Sequence, residues 1–295
     1  MLAIYKKELR SYLCSMTGCV MIALTLAFIA FFATIINIYD GTPNFEYSLI
    51  WAAYYSVFII TVPFITMRSI AEERHSKTEQ LLFSLPIPIH KIVLSKFFAT
   101  LTIVITPAVI SAVYPILFSL FSSADGVVNY ATAYSGWLQF VLMLAAMTAI
   151  GLFASSLVEN QIIAAVITAG AFLFLYFMKF FSAVFPTTSL SSFIAFMVLA
   201  VLFGVIVLAM TKNSTAACIA TGVPAAALIA AYMIQPTLFT SLFPSVLSSL
   251  AFFDQFISGG AQIGVFDVAT VVYYISFTVV FVFLTVESVE RRRYN

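Results

Sequence analysis

The chain is 295 residues long, 63% hydrophobic and only 8% charged, with a formal net charge of +1 and a mean hydropathy of +1.10. Soluble domains carry about a quarter charged residues and under half apolar ones. This composition therefore excludes a soluble enzyme, a secreted disulfide domain and a disordered chain, and makes lipid the solvent for most of the molecule.

Residues 1–15 come first. Leu2, Tyr5, Leu9, Tyr12 and Leu13 fall on one helical face and Lys6, Lys7 and Arg10 take the remainder. That spacing predicts an amphipathic N-terminal helix in the inner headgroup layer; the alternative is a positive topogenic flank with no helix. A crossing helix needs about 20 apolar residues, and unbroken rather than alternating runs exclude a barrel. Such runs occupy 16–38, 49–67, 97–121, 136–157, 162–182, 192–211, 215–235 and 268–287. The expected fold is all-α: a polytopic helical membrane protein of about eight transmembrane helices, forming a single domain over 1–295. Six spans is the alternative, if two of the stretches within 161–267 are re-entrant or interfacial. The outer segment 235–267, rich in Phe, Leu and Ser, reads as short helices at the outer leaflet that either gate a path or pack over the spans.

Charge placement sets the orientation. Lys6, Lys7 and Arg10 precede the first span, Arg291, Arg292 and Arg293 follow the last, and five more basic residues lie in 68–96. The excess of Lys and Arg in cytoplasmic segments then places both termini in the cytoplasm. Twelve of the 13 basic residues fall on that side. Lys179 lies near the outer face, where a long side chain can snorkel. The outer loops hold Asp40, Glu46, Asp125, Asp254 and Asp267.

Several chemistries are missing. There is no phosphate-binding Gly-x-x-x-x-Gly-Lys-Ser/Thr loop, no Gly-x-Gly-x-x-Gly and no His-Glu-x-x-His. The chain is not expected to be an enzyme on its own, to hold a cofactor or metal, or to bind nucleic acid. Cys14, Cys19 and Cys218 suit packing rather than a disulfide or metal site. The spans hold almost no ionisable side chain, unlike proton-driven carriers, so energy for transport would come from a partner.

The segment 68–96 stands out against this background. Arg68 with Glu72, and Glu73 with Lys77, are spaced i, i+4 on a helix leaving the bilayer. Ser76 and Glu79 have capping-box spacing for a second short helix, which would end before Pro86 and Pro88. Leu81, Leu82 and Phe83 beside these charges suit docking onto a cytoplasmic partner; a solvated loop whose charges hold topology is the plainer reading.

The run Arg68-x3-Glu72-Glu73-Arg74-x3-Thr78-x2-Leu81-Leu82-x-Ser84-x-Pro86, followed by Ile92-Val93-Leu94-Ser95-Lys96-Phe97, resembles the first cytoplasmic loop of ABC-2 type ABC transporter permeases. The resemblance continues at Ser155 to Gln161 and from Phe252-Phe253-Asp254 to Arg293, and is nearest to the gliding-motility-type permease group. Two departures stand in the first loop: Lys77 and Ser95 occupy positions where the family usually has glycine. The stretch 185–240 has no counterpart in the common six-span pattern and reads as an inserted helical hairpin.

The resemblance implies an exporter's transmembrane permease subunit in the cell inner or plasma membrane. It would pair with a second permease copy or homologue and with two ABC ATP-binding subunits, which bind the ATP and Mg. It also implies an ATPase-coupling role for Glu72, Glu73, Arg74, Lys77, Thr78 and Glu79, with Leu81 and Leu82 beside them. Glu159 and Asn160, on a second turn, suit either docking or a plain polar helix end. Pro63, Pro107, Pro115 and Pro224 are candidate kinks. Two other classes stay open: a self-contained channel or secondary carrier, and a non-transporting anchor or sensor that recruits an ATPase.

Overall fold

The computed structural model describes residues 1–39, 44–55, 57–79, 87–121, 128–258 and 266–293. Among them there is no strand. The helices are α1 (Leu2–Leu13), α2 (Met16–Ala33, continued by a wider π turn over Thr34–Tyr39), α3 (Phe45–Tyr54), α4 (Phe58–His75), α5 (Ile89–Ser111), α6 (Tyr114–Phe121) and α7 (Tyr130–Leu157). They continue with α8 (Gln161–Val184), α9 (Ser189–Thr211), α10 (Ser214–Ile234), α11 (Leu242–Leu250), α12 (Phe252–Ser258) and α13 (Val268–Arg293).

Local sequence sets where these helices begin. Ser15 accepts the Gly18 N–H at 3.1 Å and starts α2. Gly18 is required there, because a Cβ would collide with the Tyr12 carbonyl oxygen at the turn from α1. Asn129 accepts the Ala131 N–H at 3.1 Å at the start of α7, and Asp267 accepts those of Ala269 and Thr270 ahead of α13. The Thr270 hydroxyl, bonded to Asp267 at 2.6 Å, holds the Asp267 carboxyl below its ordinary value. Side-chain acceptors here satisfy N–H groups that a helix start leaves without intrahelical partners.

Six helices among the described residues are long and apolar enough to cross a membrane, or up to eight if each of two bent pairs counts as one span. Their outward faces stay apolar: Ile162, Phe174, Val201 and Phe283, for example, are more than 50% or close to 60–70% exposed in the isolated chain. Exposed apolar surface on that scale belongs in lipid. The second span differs from the uniform run expected over 49–67: it is divided between α3 and α4. The other bent pair joins Cys218–Ile234 to Pro236–Leu250 at 115°, so the apolar run at 215–235 turns back sharply at Pro236.

The chain forms two compact units, Met1–Leu173 with Gln255–Asn295, and Phe174–Asp254. In the first, α7 is the central helix, packed against α13, α4, α5 and α3. Met143, Leu144, Ala146, Met147 and Ala149 on it are fully buried. α4 approaches α7 very closely at Gly151, where a Cβ would lie 2.9 Å from Thr66 Cβ. One turn further on, the Ser155 hydroxyl donates to the Met67 carbonyl at 3.1 Å and accepts the Ala71 N–H at 3.1 Å. Small residues permit this approach, and the hydroxyl fixes it.

The second unit includes the stretch 185–240 within its bounds. α9 and α10 are joined by Lys212 and Asn213, with Lys212 in the left-handed region at φ 53°. Phe193 stacks on Tyr232 at 4.6 Å between the two helices, and Phe185 packs on Phe243 at 4.6 Å. Lys179 is not simply snorkelling: it donates to Asp254 at 2.7 Å. Cys14, Cys19 and Cys218 are free and exposed, which corrects the packing role expected for them.

Candidate functional site

The charged residues of 68–79 meet three other segments at one end of the first unit. Arg68 pairs with Glu72 at 3.1 Å along α4, as its spacing predicts. Glu73 does not pair with Lys77. It reaches the Lys96 ammonium at 2.9 Å instead, and lies 3.7 Å from Lys7. Lys96 also pairs with Glu8 of α1 at 3.2 Å and donates to the Ser69 carbonyl at 2.7 Å. Its side chain is only 3% exposed, so this is a buried node joining α1, α4 and α5. Tyr12 donates to the Ile65 carbonyl at 3.0 Å and adds a second tie between α1 and α4. Burial pushes the Tyr12 phenol up, keeping it a neutral donor.

Lys77 cannot pair with Glu73 because it lies beyond the end of α4, in the left-handed region at φ 57°. This is the position where a glycine was expected from the resemblance, and the backbone explains that preference: only glycine takes this conformation without a steric cost. Substituting Lys77→Gly is expected to stabilise the fold by about 1 kcal/mol, read as a rise in Tm in detergent. An unchanged or lower Tm would contradict that account.

The capping-box expectation also changes. Ser76 donates backward, to the Glu72 carbonyl at 2.8 Å, so it closes α4. Thr78 stands 3.0 Å from the Ser76 hydroxyl and 3.3 Å from the Glu73 carbonyl. Leu81 and Leu82, with the rest of 80–86, lie outside the described residues. Ser95, at the second expected glycine, is buried and donates to the Lys91 carbonyl at 2.6 Å, with the Met1 carbonyl at 3.2 Å.

Arg74 links the two turns. Its guanidinium donates to Glu159 at 2.8 Å and lies 3.6 Å from Glu79. Asn160 accepts the Ile162 N–H at 2.9 Å and so begins α8. Burial pushes the Glu79 carboxyl above its ordinary value, against the pull of Arg74 and Arg292. A raised carboxyl adds stability that is present at acid pH and is lost as pH rises through its folded value. Arg292, near the end of α13, feels Arg74, Glu79 and Glu159, and thus belongs to the same cluster.

Sequence reading gave no site role to Glu8, Lys96 or Arg292. Glu8 shares a helical face with Tyr5 and Tyr12, and that face, rather than exposed Leu2 and Leu13, turns toward the protein. Lys96 falls on the stripe Val93, Phe97 and Thr100, which becomes visible once the helix starts at Ile89 rather than 97.

The family model for the ABC-2 family transporter protein matches residues 33–198, more than half of the chain. No curated protein and no solved structure matches it. The all-α bundle, its six to eight candidate spans and this match agree: the chain belongs to the ABC-2 transporter membrane family and is a multi-pass membrane protein, the permease subunit, not itself catalytic, of an ABC transporter with ATP-binding subunits.

Proposed function

We propose that this permease is driven through the cluster built on Glu72, Glu73, Arg74, Lys77, Thr78, Glu79, Glu159 and Asn160, with Leu81 and Leu82 in the adjoining segment. The observation that carries the reading is the Arg74–Glu159 pair at 2.8 Å, which ties the end of α4 to the turn between α7 and α8. A partner pressing on this end would load α4, α7 and α13 together, and through Lys96 would also load α1 and α5. The helices so joined include the central α7, so a push at the charged end tilts the bundle instead of deforming a loop.

In this reading the charged end and both termini face the cytoplasm, in accord with the distribution of basic residues. Two ABC ATP-binding subunits dock there and bind ATP and Mg. A second permease copy or homologue completes the complex, which lies in the cell inner or plasma membrane and works as an exporter. The gliding-motility-type permease group is the nearest resemblance within the family. The inserted hairpin 185–240 and the outer segment 235–267 belong to the same transmembrane domain.

Co-expression with a candidate ABC ATP-binding subunit, followed by reconstitution, tests the coupling. Glu159 and Glu72 are 71% and 45% exposed in their side chains, so Glu72→Lys and Glu159→Lys leave the buried node intact. Their combination is expected to reduce ATPase recruitment and stimulation by at least about tenfold, the effect of losing about 1.4 kcal/mol. Recruitment and stimulation equal to wild type would sink the assignment. Substrate-driven transport by the chain alone, without ATP, would favour a self-contained carrier.

A further inference from the structure

A groove of about 340 Å³ lies between α5 and α13 in the first unit. Along α5 it is lined by His90, Leu94 and Phe97, which share one helical face. Across from them stand Val279, Val282 and Val286 of α13. Its floor is firm: Ile89, Val93 and Val289 behind it are buried in the cluster that joins α4, α5, α7 and α13. Both walls belong to helices long and apolar enough to span the bilayer, so the medium along the groove is hydrocarbon.

The groove is not apolar to its end. His90 is exposed and Lys91 beside it is exposed, both in the first turn of α5. No side chain caps that turn, whose flanking residue is Pro88. The basic pair therefore stands at the charged end of the bundle, while the rest of the lining, Thr278 apart, is aliphatic or aromatic. Beyond Val286, α13 carries Glu287, paired with Arg291 at 2.9 Å, and exposed Glu290. An apolar channel closed by a basic mouth complements one kind of molecule in this medium: a lipid with an acyl chain and a phosphate.

We propose that this groove seats one anionic phospholipid, its acyl chain along Leu94, Phe97, Val279, Val282 and Val286 and its phosphate against His90 and Lys91. The imidazole and ammonium donate to the phosphate oxygens, and the neighbouring helix start favours negative charge. Because the floor is the helix cluster beneath the coupling site, an occupied groove braces α5 against α13.

Native mass spectrometry of the purified full chain tests this with dioleoyl phosphatidylglycerol and dioleoyl phosphatidylcholine added in equal amounts. The wild type is expected to retain phosphatidylglycerol about tenfold over phosphatidylcholine. His90→Ala with Lys91→Ala should abolish that preference, and Val279→Trp, which fills the groove from an exposed position, should remove the retained lipid. Equal retention of both lipids by the wild type, or retention unchanged in these variants, would overturn the proposal. So would efficient disulfide cross-linking of two chains through Val279→Cys, since a second copy would then fill the groove. The readout needs no ATP-binding subunit, so failure of the coupling reading leaves it untouched.

Discussion

Replacing Lys96 with methionine is expected to destabilise the folded chain by about 3–5 kcal/mol, the range for removing one partner of a buried ion pair. The methionine keeps most of the length of the unbranched side chain and loses its charge. Two carboxylates, Glu8 and Glu73, would then face each other from positions 3.2 and 2.9 Å from the former ammonium. They are 12% and 15% exposed in their side chains, so water cannot fully compensate them. The Ser69 carbonyl would lose its donor as well. Unfolding in detergent, followed through the two tryptophans, Trp51 and Trp137, measures the loss. Acidification should recover part of it, because protonating one carboxylate removes the repulsion.

The triple variant Glu8→Gln, Glu73→Gln, Lys96→Met separates charge from packing. A buried ion pair replaced as a whole by neutral groups is often close to neutral in stability. The triple variant should therefore regain most of what Lys96→Met loses, while amide exchange over Leu2–Leu13 stays faster than in wild type because α1 has lost its ionic tie and keeps those of Tyr12 and Ser95. A single Lys96→Met variant within about 0.5 kcal/mol of wild type, the range of an ordinary surface substitution, would remove the node from the account.

Most of the fold was legible because lipid imposes a single strong rule. Backbone polar groups must be satisfied within a segment, so long apolar runs have to be helices. α2, α8 and α9 accordingly lie within a few residues of the runs 16–38, 162–182 and 192–211. The division of the second span between α3 and α4 could not be read in this way, since hydropathy stays high on both sides. At the charged end, spacing found Arg68–Glu72 because both residues lie on one helix. It assigned Glu73 to Lys77 for the same reason, and failed because the actual partners are remote: Lys96 is 23 positions away and Lys7 is 66. Periodicity ranks neighbours along one helix, and it says nothing of which helix lies opposite. The family resemblance supplied the region but not the pairing.

Adding a single methyl group at the closest helix crossing is the second large test. In Gly151→Ala the new Cβ would overlap the Thr66 hydroxyl and lie 2.9 Å from both Thr66 Cβ and Cγ2. Thr66 is fully buried and its hydroxyl donates to the Val62 carbonyl at 3.0 Å; the side chain has no room to turn away. α4 and α7 must then separate, and overpacking of this kind costs about 1–3 kcal/mol. Separation would also stretch the bonds of Ser155 to Met67 and Ala71, four residues along the same face. Those bonds lie between the crossing and the Arg74–Glu159 pair, so the damage reaches the charged end proposed for coupling. Gly151→Ala is therefore expected to lower Tm and, in the reconstituted complex, to weaken ATPase stimulation in parallel. Thr66→Ala in the same chain removes the hydroxyl and the Cγ2 and should restore part of both. By contrast, Gly170 on α8 has nothing within 4 Å of an added Cβ, and Gly170→Ala should leave stability unchanged or raise it slightly through better helix propensity. A Gly151→Ala variant as stable as Gly170→Ala would mean that α4 and α7 are not held at this distance in the membrane.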